Sequence, residues 1–322
     1  MPPKPALRIR SSCGQSRLAR MPSPPMPPLA RRLAEIGRAH AGPGAPAELI
    51  PTRPDVMIVR VGAIVVKAHA PGMDAALLAP RVAASARLGG IMLPPADTGI
   101  TQVEERLVSV WPAGEPVDSG DPDAAPWEAA ARLLAALHSV PVAALPPLPP
   151  AGGPGRMAKT VAALNGGGPE EDVVRAAAAS LPPAAGRTGL AHGDWHFGQL
   201  VRHPPEAGEW TLIDVDDLGV GDQAWDLARP AAWFACGLLD PAAWDRFLTA
   251  YLDAGGPALA GAADPWERLD GPARALTVQL AAAALISARR KGRQVDEVER
   301  MLVDACARIA GTDVRPREPH TQ

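Results

Sequence analysis

Apolar positions follow two rhythms along this chain. Leu29, Leu33 and Ile36 recur at i, i+4 and i+7, the stripe of a short amphipathic helix. The stretch DVMIVRVGAIVVKAH from Asp55 to His69 is instead rich in β-branched residues and broken at Val61-Gly62, which predicts two strands of a hairpin. MDAALLAPRVAASARL reads as a helix with Asp74 near its start, and Pro80 should kink or split it. ERLVSVW returns to strand.

Pro112-Ala113-Gly114-Glu115-Pro116 then punctuates the chain, and helical patterning dominates from there to the end. PWEAAARLLAALHSV begins with Pro126 at a first-turn position. A Pro-rich loop from Pro141 to Pro154 leads into two Ala-rich helices and a polar stretch from His192 to Asp226. Helices are then predicted around Pro241 to Ala254, Pro272 to Arg290 and Val295 to Ala310, and no repeat of 20 to 50 residues is visible. Strands first and helices afterwards predict an α+β architecture, a small sheet lobe on a larger helical one with a cleft between them. The boundaries predicted are a basic Pro-rich disordered tail over 1–28, an N-lobe over 29–111, a hinge at 112–116, a helical C-lobe over 117–311 and a disordered terminus over 312–322.

Composition narrows the possibilities. The 322 residues are 47% hydrophobic and 21% charged, near globular averages. Only Lys4, Lys67, Lys159 and Lys291 stand among the 32 basic residues, and Asn165 is the single asparagine, so each survives a strong drift toward Arg, Ala, Pro and Gly. Residues 1–38 hold an excess of basic side chains, which leaves the remainder acidic, and a nucleic-acid-binding core is not expected. The longest apolar runs fall short of a membrane span, and the first residues lack the apolar segment of a secretory signal. Cys13, Cys236 and Cys306 are odd in number and widely spaced, which fits a reducing cytoplasm.

The chemistry concentrates in LAHGDWHFGQLVR and WTLIDVDDLGVGDQAWDLARP. Asp194 is followed five residues later by the amide of Gln199, and Asp214 closes the apolar strand Trp210 to Ile213. Phosphoryl transfer needs this set: one carboxylate to accept the proton of an attacking hydroxyl, and an amide oxygen with a second carboxylate to hold Mg²⁺ on nucleotide phosphates. His192-Gly193-Asp194, Ile213-Asp214, Gly221-Asp222 and Trp225-Asp226-Leu227-Ala228 together resemble the aminoglycoside phosphotransferase and choline kinase family, relatives of the protein kinases. The resemblance runs from about Val56 to Ala310 and implies a two-lobed protein-kinase-like fold. It also implies an ATP- and Mg²⁺-dependent small-molecule kinase, with Asp194 as base, Asp214 and Gln199 as metal ligands, and Lys67 on the α- and β-phosphates of ATP.

Lys67 stands beside a Val-Val pair, where a compact ammonium was kept against the drift to Arg. The bland alternative is an exposed lysine on an edge strand. The chain departs from the family pattern in three ways. Gln199 replaces an Asn, Arg81 stands about where a helix Glu would pair Lys67, and AGPGAP at Ala41 to Pro46 is only a weak candidate for a phosphate-cradling loop. Phosphate binding would then rest on backbone amides of the hairpin turn. A pseudokinase-type binding module is the alternative from a different class, and a His192/Asp194/His196 zinc site is the weaker rival. Asp222 should cap a helix, Asp216 could approach a second metal, the family implies that Asp226 braces the catalytic loop, and the tryptophans read as core. The acidic surplus of the helical lobe favours a cationic acceptor such as an amino sugar.

Overall fold

A computed structural model describes residues 26–118, 125–183 and 188–311. The disordered segments expected before Met26 and after Gly311 lie outside these residues. The first helix, α1, spans Pro28–Ala41 and is followed by β1 (Ala47–Ile50), β2 (Met57–Val61), β3 (Ile64–Ala68), helix α2 (Ala75–Ser85), β4 (Asp97–Val103) and β5 (Arg106–Pro112). The five strands form one antiparallel sheet in the order β1-β2-β3-β5-β4. The predicted stripe of α1 seals one face: Ala30 and Leu33 are fully buried with Val59, Val61 and Val66 of the sheet. Each of the larger side chains among these, Leu33 and the valines, contributes about 1.5–3 kcal/mol when removed from water.

Two strands escape the sequence pattern. β1 is four residues with a half-exposed pattern, and β4 is an outer strand with only Val103 buried, so neither shows the apolar alternation that reveals the hairpin β2–β3. Pro80 does not split α2, which runs unbroken over Ala75–Ser85 from its Asp74 cap. Pro80 removes one N–H from the ladder, and the buried Arg81 beside it anchors the helix through hydrogen bonds to Leu218 O and Asp216 O.

The second lobe begins with β6 (Glu115–Pro116) and α3 (Trp127–His138), followed by α4 (Gly153–Ala162) and α5 (Pro169–Ala179). Four short strands, β7 (Thr188–Ala191), β8 (Leu200–His203), β9 (Glu209–Leu212) and β10 (Gly219–Asp222), precede α6 (Ala224–Ala235), α7 (Pro241–Asp253), α8 (Trp266–Arg290) and α9 (Glu297–Ala310). β7 pairs β10, and β8 pairs both β6 and β9, so two small antiparallel units present the loops between them to the cleft. Pro272, expected to open a helix, lies inside α8, which starts at Trp266.

Two apolar clusters support this lobe. One gathers Leu134, Leu190, Leu227, Phe247 and Tyr251, and the other Val174, Val278, Leu302 and Cys306. The first grips the loop that carries the chemistry. Trp195 stacks on Phe247 at 5.3 Å between ring centroids, and Phe197 meets Trp127 edge-on at 4.5 Å. Two aromatic anchors inside one loop fix the backbone between them, which is why residues 192–199 can hold a defined shape without regular strand structure.

Candidate active site

The loop after β7 turns at Gly193, whose φ is +84°. A Cβ there would lie 2.2 Å from Asp217 O, so close approach and backbone conformation both require glycine. Asp226, buried near the start of α6, holds the turn from below. Its Oδ2 accepts from His192 N at 2.6 Å and its Oδ1 from Gly193 N at 2.8 Å. His138 Nε2 lies 3.0 Å from the same carboxylate and Nδ1 lies 2.7 Å from Tyr251 Oη. Because Asp226 can only accept, His138 donates from Nε2 and takes the tyrosine proton on Nδ1.

This frame projects Asp194 into the cleft between two arginines. Arg156 of α4 binds Asp194 Oδ2, and Arg229 Nη2 of α6 lies 3.3 Å from Oδ1. Arg156 also reaches Gly193 O at 2.9 Å and Asp217 Oδ2 at 2.7 Å. Burial alone would raise the Asp194 pKa, but the Arg156 and Arg229 charges outweigh it and hold the carboxyl below its usual range. His196 is held down to about 4 by burial and then by Arg229, so the imidazole is neutral at pH 7. The zinc reading finds no support in this geometry: His192 Nε2 bonds Ile213 O at 2.8 Å and His196 Nδ1 accepts from Gly198 N at 2.9 Å. Among the described residues no group of three or more His, Cys, Asp or Glu side chains is placed to share a metal.

The second carboxylate arrives from the end of β9. Asp214 has φ +70°, a left-handed backbone that is uncommon outside glycine, and its own Oδ1 accepts from Asp216 N at 3.0 Å. That local hydrogen bond is what makes an aspartate acceptable there. Lys67 lies 2.7 Å from Asp214 Oδ1 and 2.9 Å from Asp216 Oδ2. It sits on β3, an interior strand, and is 7% exposed, so the edge-strand alternative is ruled out. Burial disfavours its charge, yet Asp214 and Asp216 together push its pKa up. Gln199 Nε2 stands 3.4 Å from Asp214 Oδ2.

Lys67, Asp194, Gln199 and Asp214 all line one cleft cavity of about 490 Å³. A smaller cavity of about 210 Å³ that includes Cys236, Thr277 and Arg308 shares no lining residue with it. The loop over the sheet side of the cleft is 51–56, between β1 and β2, and it brings Thr52 and Arg53 to the cavity wall. This corrects two expectations. AGPGAP joins α1 to β1, and the β2–β3 turn at Gly62 would bring a Cβ against Ala45 and Ala41, so neither lines the cavity.

The donors suit a hard divalent cation. Asp214 supplies carboxylate oxygens and Gln199 an amide whose oxygen faces Asp214 when the group is turned over, while the buried Asp216 Oδ2 is taken by cations of the sheet lobe, Lys67 at 2.9 Å and Arg53 at 3.5 Å. Sequence reasoning missed Arg156, Arg229, His69 and Ser109 as parts of the site. Arg229 follows Asp226 by three positions in the WDLAR run and could have been read as facing the same loop, whereas Arg156 stands in a helix with no motif around it.

The model of the phosphotransferase enzyme family, APH, matches residues 64–269. This chain belongs to that family. No curated protein matches it by sequence at a significant level. Among solved structures it is similar to a choline/ethanolamine kinase family protein from Mesorhizobium loti, 18% identical over 88% of this chain and 92% of that one, with a TM-score of 0.55. It is also similar to aminoglycoside phosphotransferase APH(3'')-Id from Streptomyces rimosus, 20% identical over 79% and 99% of the two chains, at TM-score 0.54. A thermostable mutant of aminoglycoside phosphotransferase APH(4)-Ia, solved with AMP-PNP and hygromycin B, matches at TM-score 0.57 with 13% identity over 87% and 98%. At these identities the likeness establishes the two-lobed, protein-kinase-like α+β fold. No helix among the described residues is long and apolar enough to cross a membrane.

Proposed function

We propose that this family member transfers the γ-phosphoryl group of ATP to a hydroxyl of a small molecule. The observation that carries the reading is the convergence of Lys67, Asp194, Gln199 and Asp214, drawn from both lobes, on one cavity. Asp194 is the base: it is anionic at neutral pH, its loop is braced by Asp226, and it stands across the cavity wall from the lysine and the second carboxylate. A carboxylate so placed accepts the proton of the acceptor hydroxyl as the new bond to phosphorus forms. Lys67 supplies a buried positive charge for the phosphates of the nucleotide.

Asp214 and Gln199 would hold Mg²⁺, which when bound neutralises charge on the phosphates. The same set argues against the pseudokinase reading, because lysine, base and metal carboxylate are all retained. The acidic surplus of the helical lobe supports a cationic acceptor, an aminoglycoside or other amino sugar. The pair Arg156 and Arg229 beside Asp194 directs any ammonium of such an acceptor away from the reacting hydroxyl. Screening ADP production with aminoglycosides, choline, amino sugars and hydroxylated amino acids tests the proposal. Acceptor-dependent ADP release with a phosphorylated product supports it. Tight ATP binding with no turnover across all four classes would overturn it in favour of a binding module.

A further inference from the structure

Lys67 has an unusual set of partners for a buried cation. Both of its carboxylates come from one short loop of the opposite lobe, two residues apart, and none comes from the neighbouring α2. The two carboxylates are not equivalent. Asp214 shares its other oxygen with the Gln199 amide and faces the cavity, so any cation bound there competes with Lys67 for it. Asp216 is 6% exposed, and its other oxygen is already engaged: Oδ1 lies 2.7 Å from His69 Nδ1.

His69 is fully buried, and its Nε2 lies 2.8 Å from Ser109 Oγ, which accepts from Trp111 Nε1 at 2.7 Å. One direction satisfies every group: indole to hydroxyl, hydroxyl to Nε2, and Nδ1–H to Asp216. The chain is built into the sheet, because Ser109 is paired with Lys67 across β3–β5 and His69 follows the end of β3. The backbone of Asp216 is fixed independently. Arg81 of α2 donates to Asp216 O and, at 2.8 Å, to Leu218 O.

We infer that Asp216, oriented by His69 and Ser109, is the positioning residue for Lys67. Helix α2 holds no carboxylate, and its Arg81 instead holds the loop carrying Asp216. When Asp214 turns to a metal, Asp216 keeps the ammonium in place for the phosphates. This inference rests on the nucleotide-binding reading of the site.

Calorimetric titration of ADP at saturating Mg²⁺, where Asp214 is engaged by the metal and Asp216 is left as the partner of Lys67, isolates the pair through a double-mutant cycle. In the native chain Lys67→Met should weaken ADP binding about tenfold. In an Asp216→Asn background the same substitution should change affinity by less than about threefold, because a lysine no longer held has little binding to lose. An equal loss in both backgrounds would overturn the assignment of Asp216. A raised Mg²⁺ midpoint in Asp216→Asn with the full Lys67→Met effect would overturn it too, making Asp216 a metal ligand. If Asp216→Asn does not fold by thermal melting, His69→Gln serves as the background, with the same shrinkage in smaller measure. If Lys67→Met leaves ADP affinity unchanged in the native chain, the lysine reading and this inference both fall, whereas absence of any ADP binding would remove the proposed function itself.

Discussion

The cleft holds two acidic sites assembled by different means. Asp194 is held within the helical lobe: its loop is tied to α6 by Asp226 and to the core by Trp195 and Phe197, and its charge is matched by Arg156 and Arg229. Asp214 and Asp216 are held across the cleft, by Lys67 and His69 of the sheet lobe. The contacts that hold the first site lie within the helical lobe. The contacts that hold the second span both lobes, so its geometry, unlike the first, depends directly on how the lobes pack.

Removing the base has the largest expected effect. Asp194→Asn should fold and bind Mg·ATP yet lose roughly 10²- to 10⁴-fold in kcat, the range for general base catalysis with substrate positioning. Native-like turnover in a single-turnover assay would exclude Asp194 from the chemistry. A smaller effect is expected on the metal side. Gln199→Ala should raise the Mg²⁺ concentration for half-maximal activity and lower kcat, with Gln199→Asn intermediate because its shorter arm leaves a gap in a loop fitted to Gln. A Mg²⁺ titration of ATP turnover that matches the native midpoint and rate for Gln199→Ala would remove that side chain from the metal site.

The mildest change concerns the charges around the base. Asp194 has its pKa depressed by Arg156 and Arg229 against the effect of burial, so the base is ionised down to acidic pH. Arg156→Gln removes one of those charges, which raises the Asp194 pKa and moves the acid limb of kcat/KM toward higher pH. The sign for stability is the same. A folded-state pKa below the unfolded one stabilises the protein above the unfolded value and loses that contribution as pH falls through the folded value, so the variant should lose it at higher pH. An acid limb that stays in place or moves down would mean that Arg156 does not set the charge state of the base.

How much of this could be read from the chain differs between the two sites in the same way. The Asp194 loop was legible because its parts are local: His192, Gly193, Asp194 and Gln199 lie within eight positions, and Gly193 is required by a backbone contact that a motif records. The β2–β3 hairpin and α1 were legible from the period of their apolar positions. The partner of Lys67 was not, since Asp216 lies 149 positions further on and meets it only through the packing of two lobes. Arg156 was hidden for a related reason: an arginine on a helix surface carries no pattern until the fold turns it toward a carboxylate. The loop lining the sheet side of the cavity was missed because glycine was taken as the marker, and the segment 51–56 contains none.

The division of labour between the two sites is tested most directly by titrating AMP-PNP into Asp194→Asn and Asp214→Asn side by side, with and without Mg²⁺. Asp194→Asn should bind as the native chain does, with the same gain in affinity on adding Mg²⁺, while Asp214→Asn loses most of that gain. Equal loss in both variants, or a Mg²⁺ response preserved in Asp214→Asn, would contradict that division.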